Sequence, residues 1–374
     1  MTWEQWTAVI ALVLAVFAAV AAGIGWQMMR RRQPDPAPAQ PQLPHPFARP
    51  AVVFNPTKGV DGAQLKQLVT EIAADHGMGE PMWYETTQED PGSGQTEAAL
   101  ARGAVVVIAA GGDGTVRAVA EAMAASRTPM GVLPLGTGNL FARNLDIPLA
   151  SHREMITTAL TGRNRRVDLG WLDVVEPAAA PMDDTGRHST AGAPAERASH
   201  AFLVIGGVGF DAEMIGGTDD HLKARIGWVA YFVSAVRYLR GRKVRAQLEF
   251  TDGSPARRLT VRTVLVANCG RLPGGVVLLP DAVPDDGWLD IAAIDTRGGL
   301  IGWADLLRRV VMQGLGMRNG RLPYSTSKID FHRTREVLIR TEYPEQVQVD
   351  GEALGSARAV AFRVQDGALL VRCR

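Results

Sequence analysis

The chain has 374 residues, enough for two domains of ordinary size. Its 40 Lys+Arg almost cancel 39 Asp+Glu, leaving a net charge of +1, so the balance gives no reason to expect a nucleic-acid partner. Two distant cysteines, Cys269 and Cys373, exclude a disulfide framework, and seven scattered histidines exclude a zinc cluster.

From Thr7 to Trp26 the chain carries no charge. About 20 apolar residues make a helix long enough to cross a bilayer. Trp3, Trp6 and Trp26 sit where interfacial aromatics belong, Glu4 precedes the span, and Arg30, Arg31 and Arg32 follow it. The positive-inside rule predicts a single-pass anchor in the cell membrane over residues 1–32, with the rest of the chain in the cytoplasm. Residues 33–50 are dense in proline and read as a semi-extended linker.

The folded region begins with the apolar strand Ala51–Phe54, which runs into the turn Asn55-Pro56-Thr57-Lys58-Gly59. Leu65, Leu68, Val69 and Ile72 recur at helical spacing. Trp83–Thr86 reads as a second strand, Glu97–Arg102 as part of a helix, and Val105–Ile108 as a third strand. Gly111-Gly112-Asp113-Gly114-Thr115 follows, then a helix to about Ser126, then a strand at Met130–Leu133 and the loop Gly136-Thr137-Gly138-Asn139. Alternating strands and helices over 51–165 predict a parallel sheet covered on both faces.

Past Val167 the texture changes. Ala201–Ile205, Ala246–Phe250, Thr263–Ala267, Leu289–Ala293 and Val337–Arg340 read as strands, with helices expected at Ile226–Leu239 and Leu300–Met317 and a loop from Pro177 to Ala198. Residues 166–374 therefore read as a β-rich, sandwich-like second domain, whose last strand is allowed to return to the first. The fold class expected is an α/β nucleotide-binding domain plus this β domain, preceded by one transmembrane helix.

A strand that turns sharply into a helix leaves the first N–H groups of that helix unpaired, and the helix dipole adds positive charge there. Glycines let a phosphate approach that backbone closely. Thr115 adds a hydroxyl, and Asp113 makes sense beside phosphates if it holds a cation or a metal-bound water. The loops at 55–59, 111–115 and 136–139 all follow strands of one parallel sheet, so they open on one edge. That convergence points to a nucleotide pocket. The P-loop pattern GxxxxGK[ST] is missing.

NPTKG, AAGGDGT and PLGTGN, in this order, resemble the diacylglycerol kinase catalytic domain shared by bacterial lipid kinases, eukaryotic diacylglycerol kinases and sphingosine or ceramide kinases. The second half agrees: Gly207–Ala212 resembles the family's GxGFDA, Asn268–Gly275 its asparagine–glycine segment, Pro284–Asp290 its DDGxLD loop, and Asp350-Gly351-Glu352 its DGE. The resemblance implies an ATP-dependent kinase acting on the hydroxyl of diacylglycerol or a similar lipid. It implies ATP against Asn55, Pro56, Thr57, Gly111 to Thr115 and Gly136 to Asn139, with Thr87 chosen over Thr86 as a further nucleotide contact. It implies Mg²⁺ and a catalytic role for Asp113. A carboxylate of the DGE motif is the general base; the residues alone leave Asp350 and Glu352 open, and the resemblance leans to Glu352, with Asp350 orienting or metal-linked. It also implies a structural Mg²⁺ on Asp286, with carbonyls from Val283 and Trp288. The partners implied are a lipid substrate and a membrane, with a homodimer left open.

Two positions depart from the pattern. Leu140 stands where many members carry an aspartate of the catalytic metal network. Val116-Arg117-Ala118 stands where Leu-Asn-Glu is common, and Arg117 is expected to be a solvated helix residue rather than a phosphate contact. An NAD kinase, which also uses a GGDGT turn, and a nucleotide-binding membrane regulator without turnover are the alternatives.

Overall fold

A computed structural model describes residues 48–124, 126–178, 198–209, 243–271, 279, 281–296 and 327–374. The first lobe is built on four parallel strands: β1 (Ala51–Phe54), β2 (Met82–Glu85), β3 (Val107–Gly111) and β4 (Met130–Pro134), in spatial order β2-β1-β3-β4. Helices α1 (Gly62–Asp75), α2 (Ser93–Ala101), α3 (Asp113–Met123), α4 (Leu140–Asn144) and α5 (His152–Thr161) connect or follow them. Alternation along the strands explains the two-sided cover. Val53, Ala109 and Val132 pack with Val116, Val119 and Met123 of α3. Val52, Ile108 and Leu133 turn the other way, onto Leu65, Val69 and Ile72 of α1 and Ile156 and Leu160 of α5. Such strands, buried on both faces, read as unbroken apolar runs, which is why β1, β3 and β4 were visible in the sequence.

The second lobe is antiparallel. Its strands are β5 (Arg163–Pro177), β6 (Ser199–Phe202), β7 (Ile205–Val208), β8 (Val244–Phe250), β9 (Arg257–Val261), β10 (Thr263–Ala267), β11 (Leu289–Thr296), β12 (Ser327–Thr334), β13 (Glu336–Val349) and β14 (Glu352–Cys373). The core between its layers holds Phe202, Val264, Ile291, Val337 and Phe362, with Phe202 and Phe362 edge-to-face. The lobes share a sheet: β14 runs antiparallel to β13 and β5, then meets β4 in parallel at Val371 and Met130. The boundary expected at 165/166 falls inside β5, which is one continuous strand.

Thr7–Trp26, both helices expected at Ile226–Leu239 and Leu300–Met317, and most of Pro177–Ala198 lie outside the described residues. The single-pass membrane placement is withdrawn. Among the described residues no helix is long and apolar enough to cross a membrane.

Candidate active site at the glycine loops

Asn55 closes the first loop on itself. Its Oδ1 accepts from the Thr57 N–H at 3.0 Å and from the Thr57 hydroxyl at 2.7 Å. Its Nδ2 donates to Thr115 Oγ1 at 3.2 Å, so the loop after β1 is tied to the loop after β3. Pro56 opens a single 3-10 turn, and Gly59 ends it with φ +68°, a conformation that suits glycine.

The loops after β3 and β4 are bound together through Asp113. Its Oδ2 accepts from the Asn139 N–H at 3.0 Å and its Oδ1 from the Leu140 N–H at 2.7 Å. Asp113 thus caps α4, which begins at Leu140. Burial pushes its carboxyl above the ordinary carboxylate value, while these two amides pull it back. Asn139 folds its own loop: its Oδ1 accepts from the Gly136 N–H at 2.9 Å and its Nδ2 donates to the Gly136 carbonyl at 2.7 Å. Leu140, which replaces the usual aspartate, contributes its backbone amide to Asp113 and packs its side chain on the core.

The approach of these loops is set by the absence of side chains. A Cβ on Gly136 would lie 2.7 Å from the Gly112 Cα, and one on Gly138 would lie 2.6 Å from Asp113 Oδ2. A Cβ on Gly111 would strike the Thr115 side chain, whereas Gly114 faces open space. We expect Gly136→Ala to weaken ATP binding about 10- to 100-fold, because backbone blocks the new methyl and the overpacking costs about 1–3 kcal/mol. Isothermal titration with ATP checks this, and unchanged affinity would remove the Gly112–Gly136 contact from the site.

Thr137 is exposed at the loop tip. Thr87 is exposed just beyond β2 on the same edge, where its hydroxyl accepts from the Asp90 N–H at 3.1 Å. Thr86 is buried, and its N–H donates to the Phe54 carbonyl. Lys58, passed over in the sequence reading, lays its side chain on Gly112: the Nζ is 3.6 Å from where a Cβ would stand. It is a cation beside the glycine turn, and its presence within NPTKG was the available signal.

The DGE segment is the hairpin between β13 and β14. Val349 pairs with Glu352, and Asp350 and Gly351 both have positive φ, 47° and 86°, as a two-residue turn requires. Asp350 faces the interior. Its Oδ1 accepts from the Val204 and Ile205 amides, both at 2.9 Å, and its Oδ2 from the Leu203 amide at 2.7 Å. Burial pushes this carboxyl upward and the three amides oppose that shift. With three donors already on it, Asp350 is a structural anchor. Glu352 turns the other way, with 60% of its side chain exposed, and its Oε2 accepts from Arg117 Nη2. Arg117 is therefore not a solvated helix residue: it is buried at 9% exposure, one turn into α3.

Asp286, expected to hold a structural Mg²⁺ with the carbonyls of Val283 and Trp288, has protein partners on both oxygens. Asp286 Oδ1 accepts from the Trp288 N–H at 3.1 Å, and its Oδ2 accepts from the Arg333 guanidinium. Arg333 Nε also lies 3.7 Å from Asp290 Oδ2. The cation beside Asp286 among the described residues is Arg333, on β12. Among the described residues no group of three or more His, Cys, Asp or Glu is placed to hold a metal. Protein contacts also hold the loop: Asp168 accepts from the Gly287 N–H at 2.7 Å, and Arg165 pairs with Asp285.

Comparison with known proteins decides the family. Residues 49–172 match the family model described as the diacylglycerol kinase catalytic domain. The chain belongs to the diacylglycerol kinase catalytic-domain family. It is accordingly a lipid kinase, a phosphotransferase with ATP as donor and an alcohol group as acceptor. Residues 205–373 match a second model, the YegS C-terminal NAD kinase beta sandwich-like domain. A "Probable lipid kinase YegS-like" of Pseudomonas aeruginosa strain UCBPP-PA14 is 32% identical over 308 residues, covering 80% of this chain and 87% of the relative. Another of the same description from Pseudomonas syringae pv. syringae is 29% identical over 280 residues, covering 73% and 77%. The crystal structure of a diacylglycerol kinase from Bacillus anthracis str. Sterne shares the fold of this lipid kinase with a TM-score of 0.62 at 19% identity, covering 88% of this chain and 97% of that one.

Proposed function

We propose that this lipid kinase transfers the γ-phosphate of ATP to the free hydroxyl of diacylglycerol or a closely similar neutral lipid. The observation that carries the reading is the hydrogen-bonded union of three loops. Asn55 is joined to Thr115, and Asp113 to Asn139 and Leu140, at the carboxyl edge of β1, β3 and β4. Free amides at the start of α3, the open face at Gly114 and the Lys58 ammonium receive the phosphates. Mg²⁺ accompanies ATP in this reading and would neutralise charge on the transferred group; Asp113, with spare lone pairs on both oxygens, would be the carboxylate to hold it.

Glu352 is the base. It accepts the proton of the lipid hydroxyl as the hydroxyl oxygen forms its bond to the γ-phosphorus, and the bond from that phosphorus to the bridging oxygen of ADP breaks. Of the two DGE carboxylates only Glu352 is open to an acceptor, because Asp350 is engaged by three amides. The lipid is the partner this chemistry needs.

The test incubates the purified full-length protein with labelled ATP, Mg²⁺ and a total lipid extract, with NAD in a parallel reaction and a Glu352→Ala control. Label in an organic-phase product that is absent from the control supports the reading, and mass spectrometry then names the lipid. Label in NAD and none in lipid would replace it with an NAD kinase.

A further inference from the structure

We infer that Arg117 is a positioning residue for the transfer: it holds the Glu352 carboxylate against the first turns of α3, beside the glycine loops. The inference rests on the lipid-kinase reading above and adds to it a residue outside the three loops and the DGE hairpin.

The placement is the first argument. Arg117 lies four residues past Asp113, one turn and about 6 Å along α3 from the end where the phosphates dock. Glu352 is 235 residues away in sequence, in the other lobe, yet the two side chains meet. Asn144 with the Arg271 backbone and Asp146 with the Arg271 guanidinium also join the lobes.

Burial is the second. Arginine is almost never enclosed unless paired. Arg117 is 9% exposed, and the guanidinium reaches Glu352 from a fixed backbone among buried neighbours Val116, Ala118 and Val119. Glu352 is the exposed partner: 60% of its side chain is open, at the first residue of β14. The buried member therefore sets the position of the exposed one. Charge is the third argument. A carboxylate base has to approach a triphosphate, and like charges repel. A guanidinium on the Glu352 carboxylate offsets part of that repulsion and leaves its second oxygen, Oε1, to take the proton.

A plain clasp between the lobes would have the same contact, so the test separates the two. Arg117→Gln, Arg117→Lys, Glu352→Gln and the double variant Arg117→Gln/Glu352→Gln are compared with the wild type in the labelled-lipid assay. Arg117→Gln is expected to lower kcat about 30- to 100-fold with the ATP KM changed less than about threefold. Arg117→Lys, which keeps the charge on a shorter reach, is expected to recover part of that loss. In the Glu352→Gln background the Arg117 change is expected to add less than about twofold, because it acts through a base already removed. The ATP-induced shift in melting temperature is read on every variant to confirm a folded nucleotide lobe. Full kcat in folded Arg117→Gln, or an equal loss in both backgrounds, overturns the inference. If Arg117→Gln does not fold, the same two outcomes are read from Arg117→Met, which also removes the charge. A wild type that labels no lipid overturns the parent reading and this inference with it, and is recognised before any variant is made.

Discussion

Glu352→Gln is expected to lower phosphate transfer to lipid by roughly 10³-fold, within the range general bases contribute, while melting temperature and ATP affinity stay near wild type. The amide keeps the shape of the side chain and one oxygen to accept from Arg117, so the buried guanidinium is not left unpaired. None of the loop hydrogen bonds at Asn55, Asp113 or Asn139 involves Glu352. The loss should therefore appear in kcat, since a base acts in the transition state and not in nucleotide binding. Steady-state transfer of labelled phosphate, with ATP binding measured separately by titration, checks both halves. A Glu352→Gln enzyme within about tenfold of wild type would move the base elsewhere.

Asp350→Ala is expected to cost about 3–5 kcal/mol of stability, from three amides left without an acceptor and a left-handed backbone given to alanine. The carboxylate serves Leu203, Val204 and Ile205 at once, and the residue sits at φ 47°. A typical domain holds only about 5–15 kcal/mol in total, so the variant should be partly unfolded at 37 °C. Asp350→Asn should lose about half as much, because asparagine tolerates this conformation and keeps one acceptor oxygen. Urea denaturation followed by circular dichroism measures both. The activity of Asp350→Asn per folded molecule should stay within about tenfold of wild type. A stable but inactive Asp350→Asn would return Asp350 to the chemistry.

The neighbouring DGE carboxylates differ for a reason that sequence spacing does not carry. Asp350 is a turn residue with left-handed backbone and meets the amides of 203–205, whereas Glu352 is already the first residue of β14 and meets Arg117 of α3. Nothing in Asp-Gly-Glu itself says which is which, and both residues stayed open until the turn had a partner strand. Arg117 is a similar case. Its position in α3 was legible, but the carboxylate that meets it stands on β14, more than 230 residues later. Asp286 was read as a metal ligand because its loop matched a pattern, and the arginine that meets it stands on β12, in a strand the sequence reading passed over.

Local patterns were enough where the physics is local. Apolar runs marked β1, β3 and β4 because strands buried on both faces need no alternation. The glycines of 111–114 and 136–138 marked the loops because only glycine permits backbone to approach backbone as closely as Gly112 and Gly136 do. The long strand β5 was not read as a strand, and β14 only as a last strand free to return to the first lobe, because both are held by partners distant in the chain. The sequence by itself determined a nucleotide lobe with three glycine-bearing loops on one edge and a β-rich lobe after it. Only the tertiary structure decided that β14 joins the two lobes through β4, that Asp350 is an anchor, and that Glu352 meets Arg117. Those outcomes depend on pairing between segments far apart in the chain, whose register and facing no short stretch of residues specifies.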